Sequence, residues 1–186
     1  GDQANLNTPM PIQVRPWLSH VFDKFSMILY YSSHTKNQMN VLGFDSSLGI
    51  WKRMTNNASV TFEDNGSSGT CKILHSPSIF MNESEKRLYM YLHGHGCQQT
   101  PSTIKNFQPT LLYTSSDGLK WQRFAGTKTF NQTYIFWNKF YASTPVYNPK
   151  DGFYYAMARI ADEHGTILCR SPSLVGPFEE GPVLGL

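Results

Sequence analysis

Short runs of aliphatic, β-branched and aromatic residues alternate along the whole chain with clusters of Gly, Ser, Asn and Asp. That rhythm of strand-forming and turn-forming segments predicts an all-β protein. The first group reads His20-Val21-Phe22, then Met27 to Tyr31, then Val41 to Phe44, and closes at Trp51. The second reads Ser78 to Phe80, Leu88 to Leu92 and Thr110 to Tyr113, and closes through Ser115-Ser116-Asp117-Gly118 on Trp121. A third starts at Pro145-Val146-Tyr147 and turns through Asn148-Pro149-Lys150-Asp151-Gly152. It continues as Phe153 to Ala158, Thr166 to Cys169 and Ser171 to Phe178. Aromatic landmarks therefore return every ~60 residues, and a unit of three or four antiparallel strands repeated at that period predicts β-propeller blades around a central axis. A β-sandwich also alternates, but does not require the same order of strand, turn and aromatic three times. No long amphipathic helix interrupts the pattern. The blades are expected at about 17–70, 71–125 and 126–186, after an N-terminal segment 1–16. Propellers close with about four to eight blades, so three leave open faces. The expectation is a partial propeller, completed by a longer protein or by self-association of two chains into one ring. The stretch Phe178 to Leu186 stops where a fourth strand of the third blade is expected.

Composition narrows the class further. With 40% hydrophobic and 14% aromatic residues the chain is too apolar to stay disordered. No run of about 18 apolar residues is present to make a membrane helix, and residues 1–16 lack a charged-then-apolar leader pattern. The net charge is +3, with Lys and Arg scattered, which leaves no footprint for nucleic acid or an anionic membrane. Cys71, Cys97 and Cys169 lack the paired spacing of a structural zinc site. Buried free thiols are the main expectation; a Cys71–Cys97 disulfide is the alternative if the segment between them folds back as a hairpin. Sequons at Asn57, Asn65, Asn82 and Asn131 point to a secreted, periplasmic or extracellular protein.

Three stretches carry a family resemblance: "YTSSDGLKWQRF" (Tyr113–Phe124), "RSPSLVGPFEEGPVL" (Arg170–Leu184), and "PVYNPKDGFYYAMA" (Pro145–Ala158) followed by "GTILCRS". They resemble blades of the five-bladed propeller glycoside hydrolases, the arabinanase, xylosidase and invertase-type enzymes. The S-x-D-G-x-x-W piece is also similar to the Asp-box turn of sialidases, with different spacing. Its local reading is structural: Asp117-Gly118 makes a tight turn and Trp121 packs between blades. The resemblance implies hydrolysis of a glycosidic bond at an axial funnel by two carboxyl groups on innermost strands, one protonating the leaving oxygen and one attacking the sugar or activating water. The stretches aligned with those strands, Trp17 to Phe22, His75 to Phe80 and Ala142 to Tyr147, contain no carboxylate. Asp23, after the first of them, and the loop pair Asp162 and Glu163 are the remaining catalytic candidates.

The inner positions instead offer polar and aromatic side chains. Aligned second strands place Ser32, His93 and Arg159 at equivalent ends, with His20 and His75 at or before the first strands. A sugar suits such a lining, because its hydroxyls need directional hydrogen bonds while its ring faces stack on aromatics. Trp17, Trp137 and Tyr141 are the stacking candidates, with interblade packing as the competing role. His93-Gly94-His95 carries two imidazoles that reach one metal ion only with a third ligand such as His75 or His20. No cofactor is expected, a structural cation in the axial channel being the one exception the resemblance allows. Carbohydrate is the expected partner. The candidate functions are a glycoside hydrolase-like protein, a non-catalytic glycan-binding propeller, and a protein-interaction propeller, since the fold alone hosts many chemistries.

Overall fold

A computed structural model describes residues 7–32, 39–54, 60–63, 71–97, 110–124, 139–142, 145–160 and 165–184. They form three sheets. The first contains β1 (Asn7–Gln13), β2 (Met27–Ser32), β3 (Met39–Asp45) and β4 (Ile50–Arg53), in that order and antiparallel throughout. The second is built from β5 (Thr61–Glu63), β6 (Cys71–Asn82), β7 (Arg87–Cys97), β8 (Thr110–Ser115) and β9 (Lys120–Arg123). Strands β6 to β9 are antiparallel neighbours, and β5 adds in parallel to the outer strand β9. In the third, β10 (Lys139–Ala142) and β11 (Val146–Asn148) both pair with β12 (Phe153–Ile160), which is followed by β13 (Thr166–Ser171) and β14 (Glu179–Leu184).

Three of the sequence expectations change. His20-Val21-Phe22 is not a strand but part of α1 (Ser19–Phe22), which follows a 3-10 turn at Pro16–Leu18. Leu18 and Phe22 are four apart, the helical spacing, and both point into the core with no exposure. The first sheet takes its inner strand from β1 instead, whose Pro9 and Pro11 are tolerated because this strand lies at a sheet edge and pairs only with β2. At the other end of the chain, the fourth strand of the third sheet is present: it is β14, paired with β13.

The sheets pack face to face in chain order, with β1 against β6 and β10 against β7 and β8. The middle sheet is covered on both faces, so its strands are apolar at successive positions. Leu88, Met90 and Leu92 of β7 join the core shared with the first sheet, while Tyr89 and Tyr91 join the core shared with the third. The end sheet keeps the alternation of a half-covered strand: in β2, Ile28, Tyr30 and Ser32 are buried and the residues between them are half-buried.

One turn ties the first two sheets together. Ser115 and Asp117 organise it: Gly118 N–H donates to Ser115 Oγ (2.8 Å), and the N–H groups of Leu119 and Lys120 donate to Asp117 Oδ1 (2.8 Å each). Burial pushes the Asp117 carboxyl up, but these N–H groups, the Ser115 hydroxyl and the Lys120 charge together hold it below its ordinary value. The carbonyl of Gly118 accepts from the Tyr30 hydroxyl (2.7 Å) and from the Trp121 indole N–H (3.1 Å). Trp121 is fully buried edge-on to Tyr30, with ring centroids 5.9 Å apart. The structural reading of Asp117-Gly118 and Trp121 therefore holds. On the far side, the Tyr91 hydroxyl donates to the carbonyl of Leu174 (2.5 Å), joining the second sheet to the third.

Cysteine pairing corrects the free-thiol expectation. Cys71 lies opposite Cys97 in the β6–β7 register and is disulfide-bonded. Cys169 is buried and takes no part in a disulfide.

Candidate functional site

The polar side chains that the fold gathers lie where the first and second sheets meet. Strand β6 is the edge strand of its sheet and is interrupted by a bulge between His75 and Ser78. Ser76, within the bulge, has φ of 55° and is buried; non-glycine residues avoid that conformation unless their surroundings impose it. Its N–H donates to Ser32 Oγ (3.1 Å) at the end of β2, and its hydroxyl lies 3.1 Å from His75 Nδ1. His75 pairs with His93 across the β6–β7 ladder, the rings perpendicular with centroids 5.2 Å apart. Next along is Thr110, opposite His93 at the start of β8. Ser32, His75, Ser76, His93 and Thr110 are all buried, and Thr110 Oγ1 has no hydrogen-bond partner among the described residues. Buried polar groups are ordinarily satisfied, so this one marks a place with unused bonding capacity.

The structure brings together only some of the residues singled out from the sequence. Ser32, His75 and His93 lie together where β2, β6 and β7 adjoin. Trp17 and His20 lie elsewhere, in the segment joining β1 to β2. Trp17 is half-buried, and its indole N–H donates to Glu83 Oε2 (3.0 Å) in the β6–β7 turn, where Arg15 also pairs with Glu83 (2.7 Å). That turn is the opposite end of β6, about 20 Å from His75 at ~3.3 Å per residue. His20 is exposed on α1, and Asp23, exposed at its C-terminal cap, lies on the same connection. Tyr141 and Arg159 lie on the paired strands β10 and β12, and His95 on β7 two positions beyond His93; their side chains lie outside the described residues. Asp162, Glu163 and Trp137 lie outside the described residues altogether. Ser76 and Thr110 were not anticipated. A proline after Ser76 in an apolar strand pattern was the available signal, because Pro inside a strand marks a bulge or an edge.

The described side chains of this cluster are hydroxyls and imidazoles, which are hydrogen-bonding groups. None of β1, β6, β10 and β11, the strands on the inner edges, carries an Asp or Glu. Among the described residues no group of three His, Cys, Asp or Glu could hold a metal ion, and no helix is long and apolar enough to cross a membrane. A separate concavity of about 340 Å³ lies on the open face of the third sheet, between Tyr155, Leu168, Arg170 and Glu179. Its Arg170 and Glu179 already pair with each other (3.2 Å).

Comparison with known proteins fixes the architecture. No protein-family model matches the sequence, and no curated protein matches it. Solved structures do match. Zg3597, a family 117 glycoside hydrolase of the marine bacterium Zobellia galactanivorans, is similar with a TM-score of 0.62 at 13% identity, over 95% of this chain and 55% of its own. The GH32 β-fructofuranosidase BmSUC1 of Bombyx mori gives 0.60 at 14% identity, over 97% of this chain and 35% of its own. A family 43 arabinoxylan arabinofuranohydrolase of Bacillus subtilis gives 0.52 at 16% identity, over 84% and 33%. The fold is thus that of the five-bladed propeller glycoside hydrolases. This chain spans about half or less of their length and carries part of that propeller.

Proposed function

We propose that the chain contributes the glycan-binding wall of a glycoside-hydrolase-type propeller, with Ser32, His75, Ser76, His93 and Thr110 at its centre. The observation that carries this reading is the clustering of five buried polar side chains at one end of two adjoining blades, with an unused hydroxyl among them. Neutral hydroxyls and imidazoles donate and accept in fixed directions, which is what sugar hydroxyls require. Tyr141 on β10 and Arg159 on β12 are the residues proposed to continue this wall on the third blade. The bond between Ser76 and Ser32 holds neighbouring blades at a set spacing, so the wall is preorganised. The Cys71 disulfide suits an oxidising, extracytoplasmic location. Exposed apolar residues on the end sheets, Trp51 on the first and Val146 and Met157 on the third, are where further blades of a longer chain or a second copy complete the ring.

A second reading, hydrolysis at the same place, is favoured by the shared fold. It requires acids outside the inner strands, Asp162 and Glu163 being the candidates in this chain. One experiment separates the two. The purified chain is titrated with arabinan, xylan, fructan and mannan oligosaccharides, and reducing-sugar release is recorded on the same panel. Binding that falls at least tenfold in His93→Ala and His75→Ala, without release, is the expected result. Release abolished by Asp162→Asn or Glu163→Gln selects hydrolysis. Binding to none of the panel, by a chain that is folded by circular dichroism, overturns the glycan-wall reading.

A further inference from the structure

We infer that Asn82, in the turn between β6 and β7, is an acceptor for an N-linked glycan. Asn82-Glu83-Ser84 is a sequon, and Glu83, Ser84, Glu85 and Lys86 around it are all exposed. The turn already holds the side chains in a suitable arrangement. Asn82 Oδ1 accepts from the Ser84 hydroxyl (2.8 Å), from Ser84 N–H (3.1 Å) and from Glu85 N–H (3.3 Å). The carboxamide oxygen is therefore occupied, while Nδ2, the atom that takes the sugar, makes no hydrogen bond to the described residues. Attachment costs the folded turn none of its bonds.

The reaction is a group transfer from a polyprenyl-diphosphate oligosaccharide, catalysed by an oligosaccharyltransferase. The Nδ2 nitrogen forms a bond to the anomeric carbon, the carbon–oxygen bond to diphosphate breaks, Nδ2 loses a proton, and the polyprenyl diphosphate leaves. Two further features agree with this assignment. The Cys71 disulfide suits the oxidising compartment in which such transfer occurs. The turn is also fixed from the other side, because Glu83 is held by both Arg15 and Trp17; the sugar projects from a braced hairpin about 20 Å along β6 from His75. A glycan at Asn82 thus leaves the polar cluster clear.

The test is to pass the whole chain through a eukaryotic secretory pathway. The secreted protein is released from its sugars by an amidase in 18O water and mapped by peptide mass spectrometry. The expected result is 18O-labelled aspartate at position 82 in most molecules, retained in Ser84→Thr and lost in Ser84→Ala. Ser84→Thr keeps both the sequon and the hydroxyl, so it controls for a folding defect in the alanine variant. Secretion of a folded chain in which Asn82 is unmodified in both wild type and Ser84→Thr overturns the inference, whether or not Asn57, Asn65 or Asn131 carries sugar.

Discussion

Replacing Tyr30 by Phe removes one oxygen from the seam between the first two blades, and the structure sets the size of the effect. The Tyr30 hydroxyl is fully buried, which pushes its ionisation far above the ordinary range, so it acts only as a neutral donor. Its acceptor, the carbonyl of Gly118, also receives the Trp121 indole N–H. After Tyr30→Phe that carbonyl keeps one partner, so the loss is the net worth of one hydrogen bond, about 1 kcal/mol, rather than the larger penalty of an orphaned buried acceptor. In a chain of this length that is a drop in Tm of about 2–4 °C. Trp121→Phe removes the second donor together with buried volume. In the double variant the carbonyl loses both donors. The pair should therefore cost about 1–2 kcal/mol more than the sum of the single changes. Urea unfolding followed by far-UV circular dichroism measures all four proteins. Additivity within about 0.3 kcal/mol would refute the shared-acceptor argument.

Thiol titration of the denatured chain should find one reactive cysteine without reductant, Cys169, and three after reduction; two or three before reduction would contradict the Cys71 bridge. Reduction should cost up to about 3.5 kcal/mol for a loop of about 27 residues on the chain-entropy account. Gly118→Ala and Gly152→Ala both place Ala at positive φ (+78° and +77°), a strain of about 1–2 kcal/mol, but only at Gly118 does the new Cβ meet another group, the Tyr30 hydroxyl at 2.6 Å. Differential scanning calorimetry should rank Gly118→Ala as clearly the less stable. Because the folded-state Asp117 carboxyl titrates below its unfolded value, its contribution is present above pH ~4 and disappears as pH falls through the folded pKa. Asp117→Asn should flatten the acid limb of stability against pH, and an unchanged acid limb would show that the turn does not depend on the charge.

Much of the architecture was legible because the middle blade obeys simple rules. Leu88 to Leu92 and Thr110 to Tyr113 are buried on both faces and read as unbroken apolar runs, and Asp117-Gly118 and Trp121 announce the turn that ends them. The first blade was misread where local pattern and tertiary context diverge. His20-Val21-Phe22 alternates like a strand, yet Leu18 and Phe22 reach the core at helical spacing. Strand β1, with two prolines in seven residues, has poor strand propensity and exists because β2 and β6 flank it. At the candidate site, His75 and His93 were visible as residue types at strand ends, and Ser32 followed from aligning second strands. Ser76 owes its position to a bulge, and Thr110 to a register with His93; neither is encoded by spacing along the chain.

The prolines of β1 have a consequence for how the protein avoids sticking to itself. Val14 N–H donates to the carbonyl of Ser26 across the β1–β2 ladder. By the two-residue period of a strand, the N–H groups of Ile12 and Met10 turn the same way, and positions 11 and 13 turn outward. Position 11 is proline, and position 9, where the register shifts, is proline as well, so neither has an N–H to offer in any direction. The free edge of β1 thus lacks donors over the stretch 9–11, and a passing strand cannot zip along it without a break. An edge that would otherwise seed fibre growth is blunted by covalent structure alone, with no dependence on pH, salt or a neighbouring blade.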